Sequence, residues 1–452
     1  MRVGVIGGGL AGLVAAYELS KKGHRVSVFE RDAELGGQAG TFVVHGERLE
    51  KFYHHIFTND SEILDLMAEL GLADELEWLE SRMGFFYGGK AYPFGTPASL
   101  LRFTPLSLPD RMRFGLLVLY LQRFNDWKRL ENETAFEWVR RNAGRGILDV
   151  VWGPLMRGKF GDRADQVSMT WLWGKVHLRG KSRSGGMQKE QLGYLPGSFQ
   201  RVADALARAI AKFGGSLHTS TVVRRVMVDR GRVIGLEVEP ARMRSAGGAG
   251  LLPDGTPAEG QIPFDAVVAT VPSPVFLRLV PELPAAYADN LRSVEYQSAV
   301  CVVLELNRQL TDIYWMNISD RQVPFVGAIE HTNFVPRERY GGKHILYLSN
   351  YLAKSSALYS LSDDELVSAY LPHLTKFNPD FDASWIERYS IFRDDAGQPI
   401  ITTGYSSRVP EHQTPISGLY LANTTQIYPE DRGMNYSVRL GKTVARLLPS
   451  VR

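Results

Sequence analysis

VGVIGGGLAG, residues 3–12, is an apolar strand running into a glycine turn that opens a helix. Gly7, Gly9 and Gly12 stand at G-x-G-x-x-G spacing: the first permits the tight turn, the second lets backbone approach a pyrophosphate, and the third brings helix against strand. The N–H groups of Leu10, Ala11 and Gly12 at the helix start then face the phosphates, helped by the helix dipole. In a chain with 44 glycines the pattern alone is weak, so its context decides. A second apolar strand, RVSVFE at 25–30, ends on Glu30, at the roughly 20-residue offset where an acid takes ribose hydroxyls. The plainer reading of Glu30 is an ordinary strand-end carboxylate.

After Glu30 come Arg31-Asp32-Ala33-Glu34-Leu35-Gly36-Gly37 and then Gln38-Ala39-Gly40-Thr41. Two consecutive glycines after a short helical turn allow backbone contact with a dinucleotide that side chains would block. Here the sequence resembles the large FAD family that holds amine oxidases, protoporphyrinogen oxidases and phytoene desaturases, whose second strand ends in an acid, a basic residue and then a Gly-Gly pair. The resemblance implies an α/β fold: a Rossmann-like FAD-binding domain of the glutathione-reductase type interleaved with an α+β substrate domain of sheet plus helices. It also implies FAD at Glu30, Arg31, Gly36, Gly37 and Gln38. The amine oxidases usually carry Arg where this chain has Gln38.

Length and composition narrow the class. At about 150 residues per domain, 452 residues suggest up to three units, and 44% hydrophobic content fills a sizeable core. With 52 basic against 49 acidic residues, net charge +3 makes no case for nucleic acid, and no zinc-ligand cluster calls for a metal. The single cysteine, Cys301, lies in the apolar run SAVCVVLEL, forms no internal disulfide and reads as a buried strand residue. A reducing cytoplasm fits. No signal peptide is expected, and the most apolar run, Phe114 to Leu121, is far short of the roughly 20 residues that span a bilayer.

Along the chain, TFVVHGERLEKFYHHIF is extended and a helix over 61–70 stops at Gly71. A strand over 49–57 would put Tyr53, His55 and Phe57 on one face and Phe52, His54 and Ile56 on the other. One histidine then faces a flavin and its neighbour the core; two hydrogen-bonded structural histidines are the alternative. Residues 83–94 read as a hairpin around Gly88-Gly89, where the chain enters the substrate domain. Ser107-Leu108-Pro109-Asp110 caps a long apolar-aromatic helix through Phe124, read as a core or wall helix in preference to a membrane-surface one. In WGPLMRGKFGDRADQVSM, Pro154, Gly158, Gly161, Asp162 and Ser168 match in order the segment that closes one lobe of the family's substrate domain. The basic stretch 179–190 is a solvated loop, or a lid over an anionic substrate.

The chain returns to the FAD domain near Tyr194, with an amphipathic helix after Pro196-Gly197 and strands over 216–228 and 232–238; the resemblance puts the Val222 backbone beside the adenine. Residues 239–263 look like an inserted loop whose Gly247-Gly248-Ala249-Gly250 run is followed by no helix, so no second dinucleotide fingerprint is present. DAVVATVPSP at 265–274 leaves the FAD domain again, and strand-like runs at 298–306, 325–330, 343–350 and 386–392 form a second sheet, with a helix capped by Ser362 and Glu365. The final visit delivers Asn423 and Thr424 to the FAD pyrophosphate or ribityl, where the family more often has Gly then an acid. Gly433, Met434 and Asn435 then open a helix aimed at the flavin N1–C2=O edge. The boundaries that follow are 1–82, 191–284 and 401–452 for the FAD-binding domain, and 83–190 and 285–400 for the substrate domain.

The resemblance and these residues together predict noncovalent FAD, since the only thiol lies in a strand, with cofactor contacts extending to His55 and Ile56. Polar groups of His54, His55, Tyr428, Asp431 and Arg432 are expected near the inner end of an apolar cavity; His54, His55, Tyr428 and Arg432 are the candidate catalytic residues. The expected reaction is dehydrogenation of a hydrophobic or anionic small molecule (isoprenoid, lipid or porphyrinogen-like) by hydride transfer to flavin N5, with the Arg157, Lys159, Arg163 cluster serving the anion and peripheral membrane contact open. The alternative is a redox-neutral flavoenzyme resembling UDP-galactopyranose mutase and acting on a sugar nucleotide, because KFYHHIFTND and YPEDRGMN are similar to that family's histidine strand and terminal tyrosine-acid motif.

Overall fold

The structure, a computed structural model, describes residues 1–181, 190–240 and 259–450. Most of the basic stretch 179–190 and of the glycine-rich insert 239–263, with Gly247 to Gly250, lies outside the described residues.

Short, mostly apolar strands form a five-stranded parallel sheet in the order Leu419–Leu421, Ala266–Ala269, Arg2–Ile6, Arg25–Phe29, Ser216–His218. Parallel strands covered on both faces need continuous apolar side chains, and Val3, Val5, Val26, Val28, Val267 and Val268 are fully buried. Three distant parts of the chain thus meet in one layer. The helix Leu10–Lys21 lies against this sheet, and the helix Met434–Arg446 crosses it where Gly441 leaves room: a Cβ there would sit 2.6 Å from the Ala11 carbonyl oxygen. Strands Thr221–Asp229, Arg232–Pro240 and Gly260–Pro263 add a three-stranded antiparallel sheet, the first two joined by Arg230 and Gly231 at φ 46° and 74°.

The second large sheet has seven strands, ordered Ile386–Pro399, Tyr296–Leu306, His344–Leu352, Gly327–Glu330, Trp315–Ile318, Met83–Tyr87, Lys90–Pro93. It is antiparallel except where Trp315–Ile318 runs parallel to Met83–Tyr87. The hairpin turns at Gly88 and Gly89, both at positive φ, as its sequence predicts. Cys301 is buried in the strand Tyr296–Leu306, and burial pushes its thiol pKa up. Ser362 and Glu365 form the predicted capping box on the helix Asp363–Tyr370.

Two expectations need correcting. The extended segment 49–57 is not one strand: ladder pairing stops at Glu50, residues 51–55 are irregular, and Ile56 pairs singly with Gly193. The cause is the buried Glu50 carboxylate, which receives the Phe199 N–H and the Tyr194 hydroxyl and pins the chain where the ladder would continue. The capped helix, Leu108–Arg123, buries Phe114, Leu117 and Leu121 but leaves a second apolar face exposed, so it is a wall on one side only.

Candidate active site

The glycine turn is built as its spacing requires. Gly7 sits at φ 107°, and a Cβ on Gly12 would lie 2.0 Å from the Gly7 carbonyl oxygen. The helix opens at Leu10 with Gly9 as its N-cap, so the first-turn N–H groups have no helical acceptor. The second glycine loop packs on the first: the Gly36 N–H donates to the Gly8 carbonyl at 2.9 Å, and a Cβ on Gly37, at φ 59°, would stand 2.9 Å from the Gly9 Cα. Glu30 is buried beside them and accepts from the N–H of Gly8 at 2.6 Å and of Asp32 at 2.9 Å. Burial raises its pKa, against those two donors. Arg31 is exposed beside Asp32. Gln38, where an arginine is usual in amine oxidases, donates to Asp394 at 2.9 Å and to the Ala396 carbonyl, tying the glycine loop to the strand Ile386–Pro399.

Past Glu50 no ladder forms. Tyr53 stacks edge-on to Trp315 at 4.7 Å, and His55 packs against Phe57, Tyr314 and Trp315, its Nδ1 3.4 Å from the Tyr314 hydroxyl. The His54 Nδ1 donates to the Phe52 carbonyl at 2.5 Å. That bond leaves Nε2 as the ring's acceptor. Burial, with Arg432 nearby, pulls the His54 pKa down to about 4 against that bond, so the ring is neutral at pH 7. The N–H and C=O of Ile56 are both engaged by Gly193. Val222 lies in the strand Thr221–Asp229, whose first residue donates its N–H to the Glu30 carbonyl.

The terminal segment brings the charges together. Asp431 is buried, and its Oδ2 takes Lys159 Nζ at 2.7 Å and Lys175 Nζ at 2.5 Å, while its Oδ1 accepts from the Trp171 indole at 3.2 Å and the Gln398 amide at 3.1 Å. Gln398 in turn accepts from Arg432 Nε at 3.1 Å, and the guanidinium also reaches the Tyr351 hydroxyl at 3.2 Å. Burial alone would raise the Asp431 pKa, but the ammonium groups of Lys159 and Lys175 hold it well below the carboxylate range. Burial also lowers the Lys159 pKa, opposed by Asp431. Lys159 and Lys175 both lie over the Trp171 ring.

Three of these residues come from helices that the sequence left as a lobe. A π-turn at Leu148–Trp152 leads into Gly153–Phe160, which carries Lys159, and Gly174 lets the helix Met169–Lys181 approach so closely that a Cβ would lie 3.0 Å from the Pro429 oxygen. The predicted trio does not cluster. Arg163, in the turn after the helix ends at Phe160, pairs with Glu295 at the surface, and Arg157, within the helix, lies over Phe136. Lys175, Trp171, Gln398 and Tyr351 escaped sequence reasoning; a lone lysine within the apolar MTWLWGKV was the available signal.

Tyr428 stands to one side of this cluster. Its hydroxyl donates to Glu131 at 2.9 Å, and its ring packs edge-on to Trp127. Burial raises its pKa, so the phenol stays protonated. Asn423 is fully engaged in its own turn, accepting from Thr425 and donating to the Val271 carbonyl and Ser273. Gly433 is the N-cap of Met434–Arg446, and Asn435 accepts from the Ile63 N–H.

A parallel sheet fed by three chain segments, a glycine cradle and a buried acid beside it define a dinucleotide-dependent enzyme. The comparisons with known proteins make this specific: residues 10–448 match the model for flavin containing amine oxidoreductases, and the chain belongs to that family. It is 22% identical over 471 residues to a 15-cis-phytoene desaturase of Synechococcus elongatus, covering 99% of this chain and 96% of the other. A coproporphyrinogen III oxidase of Propionibacterium freudenreichii is 29% identical over 182 residues, 36% of this chain and 33% of the other. Among solved structures, an oxidoreductase from Methanosarcina mazei superposes with TM-score 0.72 at 18% identity over 99% of this chain and all of that one (100%). A reduced UDP-galactopyranose mutase gives 0.70 at 14% identity, covering 99% and 93%. The protein is an FAD-dependent oxidoreductase. Its cradle fits that cofactor: within 4 Å a Cβ on Gly9 would meet only the Gly37 Cα, at 3.7 Å, so bare backbone faces open space beside a buried acid.

Proposed function

We propose that the enzyme takes a hydride from a largely apolar small molecule that carries an anionic group, of isoprenoid, lipid or porphyrinogen type. The observation that supports this is the charge surplus at Asp431, where Lys159, Lys175 and Arg432 surround one carboxylate among Trp171, Tyr351 and Gln398. Lys159 and Arg432 are already desolvated, which strengthens any charge-assisted bond to an entering anion.

In this reading Gly7, Gly9, Leu10, Ala11 and Gly12 hold the FAD pyrophosphate and Glu30 the ribose, with Arg31, Gly36, Gly37 and Gln38 closing that end and the Val222 backbone at the adenine. His55, Thr424, Gly433, Met434 and Asn435 hold the remainder, whereas Ile56, with both main-chain groups on Gly193, and Asn423, fully paired in its own turn, shape that wall from behind. The segments 1–82, 191–284 and 401–452 carry the cofactor, while 83–190 and 285–400 carry the substrate. When bound, FAD supplies the hydride acceptor. The chain supplies placement and field: the helix start at Gly433 favours negative charge, and Arg432, held by Gln398 and Tyr351, is a fixed cation. His54, neutral, and its neighbour His55 border the pocket, and the Tyr428 hydroxyl keeps its proton, donating to Glu131. Hydride loss then needs little more than alignment and a dry pocket.

Anaerobic mixing with a panel of such donors tests the reading through bleaching of the flavin absorbance. One or more donors should bleach it, and Lys159→Met should lower kcat/KM for that donor roughly 10- to 100-fold with flavin content unchanged. No bleaching by any donor overturns the proposal. Turnover that requires prior reduction and yields no net oxidation would select the redox-neutral chemistry of the mutases.

A further inference from the structure

The helix Leu108–Arg123 is apolar on both sides. Its inner residues Phe114, Leu117 and Leu121 belong to a core cluster. On its outer side Leu108, Met112, Leu116, Leu119 and Tyr120 are between 46% and 65% exposed, and Leu101, on the preceding helix Pro97–Leu101, is 50% exposed. Positions i, i+4, i+8, i+11 and i+12 form one unbroken stripe along the helix. A water-facing helix face carries polar residues, and a contiguous apolar stripe of this length marks a surface that something covers.

The charges around the stripe say what covers it. The one acid of the helix, Asp110, is tied to Ser107 and Arg113 at the helix start. Cations flank the apolar residues: Arg102 directly after Leu101, Arg113, and Arg123 at the far end, all exposed, with Arg102 and Arg123 in no ion pair among the described residues. Arg111 bonds the carbonyls of Leu101 and Leu106 and so fixes the short helix against the long one. At 16 residues the helix is too short to cross a bilayer, and none among the described residues is long and apolar enough to do so.

We infer that this face docks in the headgroup region of a bilayer containing anionic lipids, the helix lying in the membrane plane with Leu101, Leu108, Met112, Leu116, Leu119 and Tyr120 inserted and the arginines at the phosphates. The core cluster behind it continues to Trp171, whose indole donates to Asp431, so the docked side packs through to the candidate site. This inference rests on the surface alone and stands whatever the substrate proves to be.

The test uses the full-length, FAD-loaded protein and vesicles of phosphatidylcholine with about one third phosphatidylglycerol. The protein should co-sediment with them, bind pure phosphatidylcholine less, and release as salt screens the arginines. A Met112→Glu/Leu116→Glu/Leu119→Glu variant should lose at least about tenfold in partitioning, with flavin content and circular dichroism unchanged. A separate Leu116→Trp variant, which keeps the face apolar, should show a blue-shifted emission on adding vesicles. No co-sedimentation, or unchanged partitioning of the folded triple variant, overturns the inference. So does a wild-type dimer that becomes monomeric in the triple variant without any vesicle binding, since a second copy would then cover the face.

Discussion

At the scale of single residues, two glycines of the opening turn have different jobs. Gly12 is required by the fold, since a Cβ there meets the Gly7 carbonyl at 2.0 Å; Gly9 is at φ −73°, which any residue adopts, and its missing Cβ faces open space. Gly12→Val should therefore lower the melting temperature and abolish flavin binding together. Gly9→Ala should leave the melting temperature of flavin-free protein unchanged and weaken FAD roughly tenfold or more, read by flavin titration. Equal damage in both would remove the cofactor role of Gly9. Gln38 is a further case in which structure supplies a reason: its amide bridges to Asp394, a contact between the glycine loop and the second sheet.

At the scale of elements, the placement of the terminal segment depends on a helix crossing. Gly441 places Met434–Arg446 so close to Leu10–Lys21 that a Cβ would be 2.6 Å from the Ala11 oxygen and 2.8 Å from the Val14 Cβ. Neither neighbour is a flexible side-chain end, so Gly441→Leu forces the helices apart, with an expected loss of about 3 kcal/mol. The denaturant midpoint reads this directly. Because the same helix begins at Gly433, flavin content should fall with it. A variant with wild-type stability would show that the crossing tolerates separation.

At the scale of the molecule, the parallel-sheet half and the seven-stranded sheet meet at Glu50. Its carboxylate takes Tyr194 and Phe199 N–H, its carbonyl takes the Tyr347 hydroxyl at 2.7 Å, and Tyr194 continues through Tyr340 to His331. Burial raises the Glu50 pKa from 4.5 to about 7. A carboxyl whose folded pKa is raised contributes stability that is full below its unfolded value and lost as pH rises through the folded one. Wild-type stability should thus fall between about pH 5 and 8, by on the order of 3 kcal/mol from this group. Glu50→Gln, which keeps the shape without the titration, should flatten that slope in denaturant melts at the two pH values; an unaltered slope would place the titration elsewhere.

The sequence by itself determined whatever depends on near neighbours along the chain. The turn at Gly7, Gly9 and Gly12, the acid at Glu30, the Gly88-Gly89 hairpin and the Ser362 cap are set by backbone freedom, strand and helix period and hydrogen bonds spanning a few residues. The sheet runs read at 298–306, 325–330, 343–350 and 386–392 were legible for the same reason and fall in the strands Tyr296–Leu306, Gly327–Glu330, His344–Leu352 and Ile386–Pro399, whereas Trp315–Ile318, with Asn317 inside it, was not read as a strand. What the tertiary structure alone decided is who meets Asp431. Lys159 and Arg163 are neighbours in sequence, yet one is buried on Asp431, 272 residues away, and the other pairs with Glu295 at the surface. Partners at that separation are chosen by how helices pack, down to the space Gly174 leaves beside Pro429, and no local preference encodes that choice.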